Sequence, residues 1–146
     1  MKIMNTEYLF ARRILTLGKT IIANRNNNLK NINLTAEQAD ALIFFVENPD
    51  SSIRDLSRYL SITHQSASGI VKRLCEKGAL SMTPSARDGR CSVVHLTEKG
   101  QELIRQVKEN GTHTGEKILS GMSADEKDQF ERLLDKALAN IVKQQG

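Results

Sequence analysis

Ser52 to Thr97 reads SIRDLSRYLSITHQSASGIVKRLCEKGALSMTPSARDGRCSVVHLT, and this stretch decides the fold. Ser52 followed three residues on by Asp55 marks a helix start, and Ile53, Leu56 and Leu60 then share one helical face. A turn at Ser61-Ile62 leads to Thr63, which caps a second helix with Ala67, Ile70, Val71 and Leu74 at core spacing. Gly78 closes that helix, because glycine accepts the left-handed conformation of a helix C-terminus without steric cost. Leu80-Ser81-Met82-Thr83 and Ser92-Val93-Val94-His95-Leu96 are strand-like, and Arg87-Asp88-Gly89-Arg90 between them makes a tight basic tip. Helix, turn, helix and hairpin in this order predict a winged helix-turn-helix.

Opposite its core face the second helix carries His64, Gln65, Ser66, Ser68, Gly69, Lys72 and Arg73. Short polar groups near the start suit base edges in a major groove, and the cations further along suit phosphate. Any solvated surface helix also has a polar face, and this face alone does not separate the two readings. The hairpin shifts the balance: Asp88 between Arg87 and Arg90 can orient a guanidinium toward phosphate or a narrow minor groove. A tip that is merely solvated is the plainer alternative. The candidate DNA contacts are Ser52, Thr63, His64, Gln65, Ser66, Ser68, Gly69, Lys72, Arg73, Arg87, Asp88 and Arg90.

Charge supports this placement. The 146-residue chain has a net charge of +4, and residues 52–90 hold seven Lys and Arg against three acidic groups, so the whole excess sits there. A modest positive balance is common in soluble proteins, but its concentration on one segment favours an anionic partner.

Outward from the centre, Phe10, Ile14, Leu17 and Ile21 predict an amphipathic first helix that fades into a loop at Asn24-Arg25-Asn26-Asn27-Asn28. Thr35 with Gln38 forms a capping box for the next helix, whose apolar face is Ala39, Leu42, Ile43 and Val46 and which stops at Asn48-Pro49-Asp50. After Thr97, Leu103, Ile104 and Val107 form an apolar stripe, interrupted at Gly111-Thr112-His113-Thr114-Gly115 by a hinge or a plain loop. Ser123 with Glu126 caps a last helix bearing Phe130, Leu133, Leu134, Ala137, Leu138 and Ile141. That wide stripe either completes a monomer's core or pairs with a second copy. Because the terminal helices lie outside a compact winged helix, pairing is favoured, through Phe10, Ile14, Leu17, Phe130, Leu133, Leu134, Leu138 and Ile141.

Asp88-x-Arg90 followed by Leu96-Thr97 and Gly100 resembles the wing and exit helix of the multiple-antibiotic-resistance regulator (MarR) family of bacterial winged-helix transcription factors. Leu34-Thr35-x-x-Gln38, Leu56-x-x-x-Leu60 and Val71-x-x-Leu74-x-x-x-Gly78 extend the resemblance over nearly the full length. It implies one domain, residues 1–146, mainly α with a small β-hairpin wing. Residues 35–97 would be the winged DNA-binding core, and 1–34 and 98–146 the dimerisation helices and connections. It further implies a homodimeric repressor on a pseudo-palindromic operator of double-stranded DNA, with Arg90 as the wing arginine supported by Asp88. Release by a small aromatic or amphiphilic effector is expected, at a site the residues do not select.

Other functions have less in their favour. A redox switch would use Cys75, expected to be a small buried hydrophobe, or Cys91 on the wing, and nothing in the sequence marks either as reactive. His64, His95 and His113 are dispersed, so no metal site is expected, and no cofactor. A winged helix serving as a protein-interaction module would carry an apolar or mixed wing, not Arg87 and Arg90. No nucleophile elbow, P-loop or dinucleotide motif points to an enzyme. With two cysteines, no signal-peptide pattern and no apolar run near the roughly 20 residues that span a bilayer, a reduced cytoplasmic protein without membrane insertion is expected.

Overall fold

Local capping signals set most of the element boundaries in the computed structural model, which describes residues 3–110 and 113–145. The order is α1 (Thr6–Leu29), a 3-10 turn (Lys30–Ile32), α2 (Ala36–Glu47), α3 (Ile53–Leu60), α4 (His64–Glu76), β1 (Leu80–Pro84), β2 (Ser92–Leu96), α5 (Glu98–Asn110), α6 (His113–Leu119) and α7 (Ala124–Gln145). Both capping boxes at Thr35/Gln38 and Ser52/Asp55 are formed, and Thr63 caps α4 by accepting the Ser66 N–H. Ser123 and Glu126 exchange the same pair of bonds at the start of α7. Gly78 takes φ +77° just past the end of α4, as a helix C-terminus requires.

The chain divides into two compact units, residues 1–112 and 113–146. In the first, Leu42 of α2, Leu56 of α3, Val71 and Leu74 of α4 and Val94 of β2 are fully buried in one core. Each such side chain contributes about 1.5–3 kcal/mol relative to exposure. Ile104 and Val107 of α5 are buried in the same core, so the apolar stripe after Thr97 completes the winged helix. The hairpin is antiparallel, with Leu80 opposite Leu96 and Pro84 opposite Ser92. Its second strand is tied to the helices where Val94 N–H donates to the Ser51 carbonyl at 2.9 Å. In the second unit, every described α7 side chain from Glu131 to Lys143 is exposed.

The asparagine-rich run predicted as a loop is helical, and α1 continues through it to Leu29. Tertiary partners outweigh weak local propensity here. Arg25 makes two bonds to Asp40 of α2, at 2.5 and 3.0 Å, and Asn26 Oδ1 accepts the Ala36 N–H at the start of α2. Gly111 and Thr112, the middle of the predicted interruption, lie outside the described residues, while Gly115 is inside α6. No described helix is long and apolar enough to cross a membrane.

Candidate nucleic-acid interface

Helix α4 presents two faces because its apolar residues recur at helical spacing. Ala67, Ile70, Val71 and Leu74 are buried, which leaves His64, Gln65, Ser66, Lys72 and Arg73 exposed and Ser68 and Gly69 half-buried. Among these, Thr63 and Ser66 are coupled: Thr63 Oγ1 accepts the Ser66 N–H at 3.1 Å and donates to Ser66 Oγ at 2.9 Å. Ser52 is engaged in the same way, donating its hydroxyl and its N–H to Asp55 Oδ2 at 3.0 and 2.9 Å. The hydroxyl protons of Ser52 and Thr63 therefore serve helix caps. Bonds from the Ser52 backbone N–H first, and its hydroxyl after burial's opposing effect, hold the Asp55 carboxyl below its ordinary range.

At the wing, Asp88 organises the tip. Its Oδ1 accepts the Arg90 N–H at 3.1 Å and Arg90 Nε at 3.2 Å, while its carbonyl accepts the Cys91 N–H at 2.9 Å. Those two Arg90 bonds, backbone first, keep the carboxyl below its usual value and therefore charged. The Arg90 side chain is 92% exposed, so Asp88 fixes the guanidinium at one edge and leaves the rest to solvent or a ligand. Arg87 is exposed beside it, its N–H donating to Ser85 Oγ at 3.2 Å. Lower on the hairpin, Thr83 Oγ1 and His95 Nε2 pair across the strands at 2.7 Å, which occupies His95 within the wing.

These pieces converge. A cleft of about 510 Å³ is lined by His64 from α4, Ser52 at the cap of α3, Ile53 and Arg54 from α3, and Arg90, Cys91 and Ser92 from the wing. Two arginines and a histidine on three separate elements face one space, an arrangement that attracts and holds an anion. Arg54 is one of the cations of the basic segment but is absent from the candidate DNA contacts. Its position in the exposed first turn of α3, two residues beyond the cap, was the available signal. Lys77, counted in the basic segment, points inward instead: Nζ bonds the Asn33 carbonyl and, at 3.2 Å, Gln38 Oε1.

None of the residues assigned to pairing is among those lining this cleft. Phe10, Ile14 and Leu17 of α1 are exposed, as are Leu133, Leu134, Leu138 and Ile141 of α7, and Phe130 is half-buried. Leu9, Leu15 and Ile22 extend the exposed apolar surface of α1. Cys75 is half-buried against the core, and burial first, then the nearby Glu76, pushes its thiol up. Cys91 is exposed, its Sγ 3.9 Å from Asp88 Oδ2.

Comparison with known proteins agrees with the architecture. A model described as MarR family matches residues 32–90. The transcriptional repressor MprA of Escherichia coli (strain K12) is 30% identical over 137 residues, spanning 92% of this chain and 78% of that protein. A cysteine-to-serine mutant of MarR from E. coli complexed with operator DNA superposes with a TM-score of 0.86 at 24% identity, over 94% of this chain and 99% of that one. BpsR of Bordetella bronchiseptica, whose DNA binding is regulated by 6-hydroxynicotinic acid, superposes with a TM-score of 0.78 at 20% identity, over 91% and 92% of the two chains. The two structures share the winged-helix fold with this protein. By its sequence relationship to MprA over nearly its whole length, the chain belongs to the MarR family of transcriptional regulators.

Proposed function

We propose that this protein is a sequence-specific repressor that binds a pseudo-palindromic operator as a homodimer and leaves it when a small aromatic effector binds. The observation that carries the DNA reading is the cleft in which Arg54, His64 and Arg90 meet beside the outward face of α4. Gln65, Ser66, Ser68 and Gly69 would meet base edges, Lys72 and Arg73 the phosphates, and Arg87 and Arg90 the flanking minor groove. Ser52 and Thr63 set the helix starts that aim these groups, and Asp88 aims Arg90. Residues 35–97 would form the DNA-binding core, and 1–34 with 98–146 the pairing helices. The operator-bound MarR structure supports the same use of the fold.

A second cavity, of about 380 Å³, supports effector control. Ile22 and Arg25 of α1, Leu60 and Ile62 at the α3–α4 turn, and Ile70 and Arg73 of α4 are among its walls. A ligand there would touch both the helix that carries the exposed apolar surface and the helix that reads DNA, so it can favour one spacing of two recognition helices over another. Its apolar walls suit an aromatic ring and Arg73 an acidic substituent, while Arg25 is bound to Asp40 and Glu37 also lines the space. Regulation of BpsR by 6-hydroxynicotinic acid is consistent with that chemistry.

Selection of duplexes from a random-sequence pool by the purified chain tests the proposal. Enrichment of a two-fold-symmetric sequence, with affinity falling steeply as salt rises, is the expected result. Recovery of unenriched DNA would overturn sequence-specific binding. On the enriched duplex, an aromatic acid is expected to lower affinity reversibly. Loss on peroxide treatment, reversed by dithiothreitol and absent in Cys91→Ser or Cys75→Ser, would replace the small molecule with a thiol switch.

A further inference from the structure

Glycine is the poorest helix former after proline, so a glycine inside a helix gives up stability that alanine would supply. At Gly100 the reason is internal: a Cβ would lie 2.2 Å from the Ala79 carbonyl oxygen and 2.7 Å from Leu96 Cδ1. Gly69, in the middle of α4, has no such reason. A Cβ added there meets no heavy atom within 4 Å, and its backbone is outside the positive-φ region. The protein's own packing leaves room for a methyl group that would also strengthen the helix.

Position on the helix says where that room is. At about 100° per residue, Gln65, Gly69 and Lys72 fall opposite the centre of the buried set Ala67, Ile70, Val71 and Leu74. Gly69 is thus at the middle of the outward face, one turn after Gln65 and one turn before Lys72. Gly18 of α1 and Gly115 of α6 also have open space. Gly18 is flanked by Ile14 and Ile22, exposed apolar residues of the helix proposed to meet a second copy.

We infer that Gly69 is the point of closest approach between the protein and the floor of the DNA groove, and that its missing side chain determines how deeply α4 seats. The inference rests on the DNA-binding reading above and deepens it. With no Cβ at the centre of the face, the helix backbone comes near the base edges and Gln65 reaches them at hydrogen-bonding distance. A methyl group at this point acts as a wedge. It lifts α4 out of the groove, costing the short-range contacts that read sequence, while the long Lys72 and Arg73 side chains still reach phosphate. Position 69 therefore governs discrimination between sequences more than affinity for DNA as such.

The test compares the full-length native protein with Gly69→Ala. Each is titrated against a duplex enriched by the native protein from a random-sequence pool and against an unrelated duplex of equal length, at several salt concentrations. Thermal unfolding is followed at matched protomer concentration. Alanine is expected to leave the Tm unchanged or raise it by a few degrees. It is expected to weaken binding to the enriched duplex by roughly tenfold or more while changing the unrelated duplex by less than about threefold. The salt slope stays as in the native protein, since no cation is lost. Binding of the enriched duplex within about twofold of native overturns the inference and leaves the DNA reading standing. A lowered Tm overturns it as well, because the glycine then serves the fold, and an equal loss on both duplexes overturns the role in discrimination. If the native protein enriches no duplex, the DNA-binding reading itself fails and takes the inference with it.

Discussion

Two cations from the same basic segment have opposite fates, and the difference is set by what each can reach. Arg90 stands at the hairpin tip with Asp88 as its one ion-pair partner among the described residues, whereas Lys77 bonds the Asn33 carbonyl and Gln38 Oε1 at the start of α2. Arg90→Ala is expected to leave the Tm unchanged while weakening operator binding about tenfold and reducing the salt slope by about one, as loss of one cation that displaces counterions from the minor groove predicts. Equal operator affinity in the variant would remove the wing from the interface. Lys77→Ala is expected to behave in reverse, lowering stability by about 1 kcal/mol with the salt slope preserved. Thermal unfolding and salt-dependent titration of the two variants side by side separate these roles. Neither fate is legible in the residue type.

Short helices depend on their ends, and α3 is eight residues long. Its capping box places the Asp55 carboxylate on the Ser52 N–H and hydroxyl, and Glu126 does the same for α7 at Ser123. Both carboxyls are held below their ordinary values, chiefly by those backbone N–H bonds, and Glu102 is lowered to about 2 by Arg105. A carboxyl with a lowered folded value favours the folded state above its unfolded value, and this contribution is lost as pH falls through the folded value. Stability is therefore expected to decline below about pH 4. Asp55→Asn should cost about 1 kcal/mol at neutral pH and make the acid decline shallower. Circular dichroism melts across pH check both, and an unchanged acid slope would show that Asp55 has no part in it.

At the scale of the whole molecule, apolar surface left uncovered is the leading fact. Leu133, Leu134, Leu138, Ile141 and Val142 of α7, with Phe10, Ile14 and Leu17 of α1, are all more than 40% exposed, an unusual display for a soluble chain unless a partner covers it. If a second copy is that partner, Leu134→Glu with Leu138→Glu will yield a monomer by sedimentation and reduce operator affinity by several orders of magnitude, because half-site binding loses its avidity. The winged-helix core contains neither residue, so the variant's Val94 and Leu74 environment should keep its protection from hydrogen exchange. A native chain that stays monomeric at micromolar concentration yet binds the full palindrome would separate DNA binding from pairing.

What the sequence determined alone was everything written within a turn or two of chain. The caps at Thr35, Ser52, Thr63 and Ser123, the stripe on α4, the left-handed Gly78 and the Asp88–Arg90 contact all depend on groups a few residues apart, whose geometry follows from the helix or turn they start. Tertiary structure decided what needed distant partners. Asn24 to Asn28 became helix because Arg25 and Asn26 found Asp40 and Ala36, and Lys77 left the basic surface because the start of α2 lay within its reach. Ile104 and Val107 entered the core because α5 packs on α2 and β2. Arg54 joined His64 and Arg90 only when Val94 bonded Ser51 and brought the wing beside α3. Periodicity tells which face of an element is apolar, but which faces meet is settled by the packing of all of them at once.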